Sequence, residues 1–110
     1  MIITYNSTTI TFRDIINDKS WPNYKKTSTK DLSGNINTNV KEKTIFRKFR
    51  TEYITKSFWE NEVLDFIDWV ARGGVITIGS TDYKLSTTVT NFEPADRGGI
   101  YGFGWEWIEQ

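Results

Sequence analysis

The sequence predicts one mainly β domain of the α+β class: an antiparallel β-sandwich with one flanking α-helix (about residues 57–72) and a long polar arm or loop (about residues 17–44). Three observations lead to this prediction. β-branched and aromatic residues alternate with polar ones along much of the chain. Residues 57–72 carry the 3.6-residue apolar period of a helix, and residues 17–44 are almost entirely polar. A length of 110 residues fits a single domain.

The composition argues against several kinds of catalytic and metal site. The chain has no Cys and no His, so disulfides, thiolate ligands and the commonest general base are absent. Asp65 and Asp68 share the polar side of the predicted helix, but no His or glycine-containing ligand loop accompanies them, which favours a solvated helix face. We therefore expect no enzymatic activity, no cofactor and no metal. No apolar run approaches the ~20 residues of a membrane span, so we expect no membrane contact.

Charge is distributed unevenly along the chain. Residues 1–56 hold eleven Lys and Arg against five Asp and Glu, a net charge of +6, whereas residues 57–110 hold three against nine, a net charge of −6. A molecule with a basic half and an acidic half can stack head to tail on copies of itself.

Before the helix, the pattern predicts strands on either side of the polar arm. Residues 2–16 are predicted to form two short strands around a turn at Asn6-Ser7. The polar residues 17–44 have two interpretations, a floppy surface loop or an arm that orders on a partner. Residues 44–55 are predicted to form a strand with two distinct faces. Ile45, Phe49 and Tyr53 share one face, and Lys48, Arg50 and Glu52 share the other.

The helix has recognisable signals at both ends. Ser57 and Glu60 have the spacing of a capping box, and Gly73-Gly74 provides a left-handed stop. One stripe carries the apolar residues Trp59, Val63, Phe66, Ile67 and Val70. Phe58 and Trp69 lie beside this stripe, so the apolar surface is wider than one core contact needs. The excess is either core or an intersubunit patch.

After the helix, three strands are predicted: residues 75–78, residues 83–92 after a turn at 79–82, and residues 100–108 after a loop at 93–99. The last strand directs Tyr101, Phe103, Trp105 and Trp107 to one face. Its glycines, Gly102 and Gly104, indicate close packing on the other face. The preferred interpretation of the aromatic row is a buried face covered by the helix. The alternative is a carbohydrate-binding module that uses Trp105 and Trp107.

A third function class is suggested by basic residues before the helix. Lys41, Lys43, Arg47, Lys48 and Arg50 interleave with aromatics, a pattern that can mark nucleic-acid binding. The solvated face of an amphipathic strand is the preferred interpretation, because the second half of the chain is acidic and the net charge is zero.

The order of elements resembles a known family. A long strand precedes the helical run from Phe58 to Gly74, which contains Glu62, Phe66 and Trp69 and ends in the glycine pair. A short strand and a hairpin follow, and the last strand ends in the aromatic and acidic tail Gly104-Trp-Glu-Trp-Ile-Glu109. Over about residues 40–110 this resembles the small minor-tail and distal-tail proteins of long-tailed bacteriophages. The N-terminal half of the chain, with its long basic segment from Lys25 to Lys43, has no counterpart in that pattern.

The resemblance implies a tail-tube-like β-sandwich with a structural role. It implies a non-enzymatic subunit of the virion, made in the bacterial host cytoplasm, that forms a ring such as a hexamer and contacts tube, tip or baseplate hub proteins. No sequence-specific nucleic-acid binding is expected. The arm, the charge division and the wide helix surface give the candidate assembly contacts, which are Lys25, Lys26, Lys30, Lys48, Arg50, Phe58, Asp65, Asp68 and Trp69.

Overall fold

The computed structural model describes residues 1–110 and contains eight strands and one helix. The strands are β1 (Ile2–Tyr5), β2 (Thr8–Thr11), β3 (Asp14–Lys30), β4 (Ile36–Thr55), β5 (Ile76–Ile78), β6 (Thr81–Leu85), β7 (Ala95–Arg97) and β8 (Ile100–Glu109). They form one antiparallel sheet in the order β2-β1-β5-β6-β8-β4-β3, and β7 pairs with β8. The prediction of a mainly β, antiparallel fold with one helix is confirmed.

All eight strands belong to a single hydrogen-bonded sheet, so the predicted β-sandwich of two facing sheets is wrong, and the helix is the second layer of the domain. Val63, Phe66 and Val70 on the helix are at most 2% exposed and pack on the inner face of the sheet. The Phe66 ring lies 5.9 Å from the Trp107 ring and 5.3 Å from the Tyr5 ring. Nine of the fifteen buried hydrophobic residues are aromatic, and each removes a large apolar area from water.

The helix, α1, is continuous but not uniform. An α-helical turn (Lys56–Phe58) leads into a π-helical turn (Trp59–Val63) and then an α-helical segment (Leu64–Ala71). The predicted capping box at Ser57 and Glu60 is wrong. Thr55, extended at the end of β4, is the N-cap and its hydroxyl accepts from the Phe58 amide at 3.1 Å. Because the strand runs directly into the helix, the cap comes two residues earlier than the sequence motif indicates.

The predicted glycine stop is confirmed. The amide of Gly73 donates to the Val70 carbonyl and that of Gly74 to the Trp69 carbonyl, at 3.1 and 3.0 Å, which is the paired bonding of a Schellman motif. Gly73 has φ +83°, a conformation that glycine adopts without a Cβ penalty.

A β-bulge in β4 makes the predicted apolar face of this strand wrong at Tyr53. Phe49 is buried as predicted, but Tyr53 is 66% exposed and Ile54 is buried in its place. The pairing of β4 with β8 shifts between Thr51 and Ile54, and Tyr53 takes φ +58°, which is rare for a bulky residue. One extra residue therefore reverses the side-chain alternation beyond Thr51.

Tight hairpins connect the short strands. Asn6-Ser7 forms the predicted turn, with both residues at positive φ as in a type I′ loop. The predicted strand at 83–92 is wrong beyond Leu85, where β6 ends and residues 86–94 lie outside any strand. The predicted loop at 93–99 instead contains β7, which pairs with β8 through the left-handed Gly98-Gly99 turn.

The molecule is elongated. It measures 65 × 30 × 22 Å with a radius of gyration of 18.1 Å, against about 13 Å for a compact chain of this size. The excess comes from β3 and β4, which continue beyond the rest of the sheet as a two-stranded ribbon. The floppy-loop interpretation of residues 17–44 is therefore wrong, because most of them pair in register. None of the helical segments is long and apolar enough to cross a membrane.

Candidate interaction surface of the hairpin arm

The most distinctive surface is the projecting ribbon, residues 22–45, which we call the arm. Beyond Phe46, the last arm-side residue of β4 to pair with β8, neither strand has a second neighbour. A turn at Asp31 closes the arm. The Asp31 carboxylate accepts from the amides of Ser33 and Asn35 at 2.9 and 2.8 Å, and Gly34 takes φ +86°. Two-stranded ribbons are at best marginally stable alone in water, so this arm is suited to contact with a partner.

One face of the arm is basic and lacks carboxylates. Residues directly opposite in the register share a face, and the pairs Tyr24–Lys43, Lys26–Val40 and Lys30–Ile36 define this basic face. The Lys26 and Lys43 ammonium groups lie 5.7 and 5.9 Å from the centre of the Tyr24 ring. Through Pro22 and Ile45 the basic face continues into the inner face of the sheet, the side that carries the core.

The basic face also carries uncovered apolar groups. Tyr24, Ile36 and Val40 expose 44%, 70% and 54% of their surface, and Leu32 at the tip is fully exposed. In the rest of the molecule, which we call the body, helix α1 covers the equivalent side of the sheet. No element of the chain covers it in the arm. Exposed apolar groups rimmed by charge are typical of a protein-contact surface.

An ion pair fixes the base of the arm. Arg47 donates to both carboxylate oxygens of Asp18, at 2.9 and 2.7 Å, and to the Tyr83 hydroxyl at 3.3 Å. These hydrogen bonds raise the pKa of Arg47 and, against the opposing effect of burial, lower the pKa of Asp18. Asn17, at φ +55°, introduces the bulge that brings Asp18 into reach. These contacts of Arg47 with Asp18 and Tyr83 therefore fix the two strands relative to the sheet at the point where the arm begins.

The candidate contacts of the basic half fall in two places. Lys25, Lys26 and Lys30 are exposed on the arm, with Lys25 opposite Glu42. Lys48 and Arg50 lie on the outer face of the body, where the Arg50 stem packs over Gly104 and a Cβ on that glycine would lie 2.6 Å from Arg50 Cγ. The close packing predicted over Gly102 and Gly104 is therefore confirmed: a Cβ at Gly102 would lie 2.9 Å from the Thr51 carbonyl oxygen.

Most of the candidate assembly contacts on helix α1 already contact other residues of the same chain. Asp68 pairs with Arg72 at 3.1 Å, and the Trp69 indole donates to the Val75 carbonyl at 2.9 Å. Phe58 is half-buried against Phe12, with ring centres 5.9 Å apart. Asp65 is exposed without an ion-pair partner. Burial, and then the carboxylates of Asp65 and Glu62, raise the pKa of the Tyr5 phenol.

The structure does not form either of the two alternative binding sites suggested by the sequence, the carbohydrate platform and the cluster of five basic residues. Trp105 and Trp107 are 5% and 1% exposed beneath the helix, so the sugar-stacking platform is wrong and the preferred interpretation of a buried aromatic face is confirmed. The five basic residues of the nucleic-acid alternative are not brought together. Lys41 and Lys43 lie on the arm, Arg47 is bound to Asp18, and Lys48 and Arg50 lie on the outer face of the body.

A groove of about 570 Å³ lies at the opposite end of the β3–β4 ribbon from the arm tip. It separates β2 from the end of β4 and the first turn of α1, with Phe12, Ile54 and Phe58 as its apolar lining. Its charged lining residues are Arg13, Asp14, Glu52 and Glu62, a net charge of −2. Sequence analysis missed this groove because it depends on the bulge at Tyr53, which forms part of its wall.

Comparison with protein-family models, curated protein sequences and solved structures finds no match to this chain.

Proposed function

We propose that this chain is a non-enzymatic structural subunit of a bacteriophage tail that assembles with copies of itself, head to tail, into a ring such as a hexamer. Within the virion, the ring would join other tail proteins of the tube, tip or baseplate hub. The observation that carries the assembly part of the proposal is the uncovered face of the arm. It is continuous with the core side of the sheet and exposes apolar side chains that no part of the chain covers.

Charge supports association between unlike surfaces. The arm holds five Lys against one Asp and one Glu, a net charge of +3, and the remaining residues have nine cations against twelve anions, a net charge of −3. A ring needs heterologous contacts, in which one patch meets a different patch of the next copy. A basic arm and an acidic body meet that requirement. The tail assignment itself derives from the sequence resemblance, and the absence of His and Cys supports a non-enzymatic role.

The proposal is tested by the mass of the protein in solution and by negative-stain electron microscopy. We expect rings, either of this chain alone or on addition of a tail-tube partner. A matched variant replaces residues 25–42 by Asn-Gly, so that the Tyr24–Lys43 pair closes a two-residue type I′ loop. This arm-shortened variant should fold, because the arm supplies no residue of the buried core, but it should stay monomeric. A wild-type protein that is strictly monomeric at high concentration, and that does not bind tail proteins, would contradict the proposal.

A second candidate function is binding of a polyanion, such as a nucleic-acid backbone, without sequence specificity. The basic face of the arm favours it, because Lys26 and Lys43 flank Tyr24 and no carboxylate shares that face. Binding of this kind weakens steeply with salt because counterions are released. The arm-shortened variant tests this candidate, because it removes four of the five arm lysines and leaves the body intact. Polyanion binding by the arm should be lost in this variant, whereas binding by the body should persist.

A further inference from the structure

The arm tip and the groove lie at opposite ends of the molecule. The groove includes Asp14 and Glu52, which pair at the start of β3. Leu32 lies in the tip turn, beyond the far end of β3. A strand of the 17 residues of β3 spans roughly 55 Å, so the tip of a chain cannot reach its own groove. A contact between the two surfaces must therefore join different copies.

The two surfaces are complementary in chemistry. The tip presents Leu32, a fully exposed apolar side chain, beside Lys30. The intervening Asp31 carboxylate is bound by the amides of Ser33 and Asn35 within the turn. The groove has an apolar lining and a net charge of −2. An apolar anchor that fills a pocket, with charged residues at the rim, is the usual arrangement of an interface hot spot.

Two further features make the groove an incomplete surface. Asp14 and Glu52 are directly opposite each other in the register, an arrangement of like charges that destabilises a sheet unless a cation lies nearby. Arg50 pairs with Glu52, with 3.8 Å between Nη2 and Oε1, but Asp14 has no ion-pair partner. In addition, β2 is an edge strand of the sheet, so the backbone groups on its outer side have no strand partner.

From these observations we infer that the arm tip of one copy inserts into the groove of the next, with Leu32 against Phe12, Ile54 and Phe58 and with Lys30 facing Glu62. The inference rests on the proposed self-assembly and names the surface that accepts the arm. Because donor and acceptor surfaces differ, the contact is heterologous: it closes into a ring if the rotation between copies allows, and otherwise it extends into a filament.

The test uses two full-length variants that each disable one surface. Leu32→Asp alters the exposed tip and leaves the groove intact, and Glu62→Lys alters the groove and leaves the arm intact. Sedimentation velocity should show self-association weakened by at least about tenfold for each variant, since Leu32→Asp places a carboxylate at the centre of the proposed contact and Glu62→Lys sets a cation against Lys30. Lys84→Glu, at an exposed position outside both surfaces, should associate like the wild type. Far-ultraviolet circular dichroism should show the same folded content in all of them.

The decisive measurement mixes the two disabled variants. Leu32→Asp still offers a groove and Glu62→Lys still offers a tip, so an equimolar mixture should form one-to-one heterodimers and nothing larger. If the wild type assembles but the variants assemble equally well, or the mixture stays monomeric, this inference is wrong while the proposed self-assembly stands. If the wild type does not assemble with itself, this inference is wrong, and if it also fails to assemble with a tail-tube partner, the proposed function is wrong as well. Association with DNA in place of self-association would likewise overturn the inference in favour of the polyanion candidate.

Discussion

Asp18 and Arg47 illustrate how a single irregular residue determines a local geometry. The bulge at Asn17 inserts one extra residue into β3, and the following carboxylate then reaches the guanidinium on β4 with two hydrogen bonds. Arg47 also lies over the rings of Phe49 and Tyr83, at 5.8 and 5.5 Å from their centres. The pair thus connects the arm to the edge of the core.

This ion pair predicts a pH-dependent stability. The hydrogen bonds from Arg47 lower the pKa of Asp18 in the folded state below its ordinary value of 3.8. Its contribution is therefore fully present above that value and is lost as the pH falls through the lowered pKa. Asp18→Asn should reduce the free energy of unfolding at pH 7 by about 1 kcal/mol, because the carboxylate is partly exposed. The difference from the wild type should shrink towards pH 2.

Urea unfolding at pH 7 and at pH 2–3 measures this effect. Asp68→Asn is the matched control, since its partner Arg72 lies one helical turn away on an exposed surface, and such pairs contribute only about 0.3–0.5 kcal/mol. An Asp18→Asn variant whose destabilisation is the same at both pH values would contradict this explanation.

Single-residue irregularities also limit what the sequence predicts. The alternation of residues 44–55 correctly directs Phe49 inward, but it also directs Tyr53 inward, and the structure exposes Tyr53. Asn17 belongs to a residue type that tolerates positive φ, which offers some signal for a bulge. A tyrosine at φ +58° gives none. Because the groove depends on that tyrosine, its position was not predictable from residue spacing.

Among the elements, the helix and the last strand were predicted most accurately. Helix α1 spans residues 56–71 against the predicted 57–72, and β8 spans residues 100–109 against 100–108. Both have one strongly apolar face, so the period in the sequence corresponds to a buried surface in the fold. The helix cap was assigned to the wrong residue because the preceding strand supplies Thr55 as the capping side chain.

The arm was not predicted as a hairpin for the opposite physical reason. Both of its faces are exposed, so no apolar face marks the strand period. The signals that remain are weaker: threonines and other β-branched residues at alternate positions, and the turn sequence Asp31-Leu-Ser-Gly-Asn35. The register that pairs residues 19–30 with 36–48 is instead set by the geometry of that turn and by the anchored base.

The helix stop gives a prediction at this scale. A methyl group on Gly74 would overlap the Trp69 indole ring, which lies against the glycine backbone. Gly74→Ala should therefore lower the free energy of unfolding by about 1–3 kcal/mol through overpacking. Gly73→Ala, at φ +83° with open space around it, should cost about 1 kcal/mol through backbone strain alone.

A double-mutant cycle separates the two causes, with thermal or urea unfolding as the measurement. In a Trp69→Ala background, Gly74→Ala should cost much less, because the ring that it displaces is gone, whereas Gly73→Ala should cost the same. Additive effects for the Gly74 and Trp69 substitutions would mean that the indole contact does not determine the requirement for glycine at position 74.

For the whole molecule, the division of charge found in the sequence is regrouped by the fold. The basic half of the chain includes Asp14 and Glu52, which the fold places at the groove together with Glu62 of the acidic half. The structural division is instead between the arm, at +3, and the remaining residues, at −3. The charge difference between the two halves of the sequence predicted that the molecule has unlike surfaces. Only the folded hairpin shows that the basic surface projects from the body.

This separation predicts how self-association responds to salt. Attraction between an exposed basic arm and an acidic groove is screened over about 10 Å at 0.1 M salt and about 3 Å at 1 M. The apolar contact of Leu32 is not weakened by salt. Raising NaCl from 50 mM to 0.5 M should therefore lower the association constant severalfold without abolishing it. Leu32→Asp, which also places a carboxylate in an acidic groove, should associate weakly at every salt concentration.

Sedimentation equilibrium at several NaCl concentrations measures this response, and Lys30→Gln provides the matched variant. Removal of one tip cation should weaken association at 50 mM NaCl and should flatten the dependence on salt, because fewer charges remain to be screened. The two variants thus separate the apolar and the charged parts of the contact. Association that strengthens steadily with NaCl would mean that the apolar groups alone join the copies, and the charge complementarity of arm and groove would then have no part in assembly.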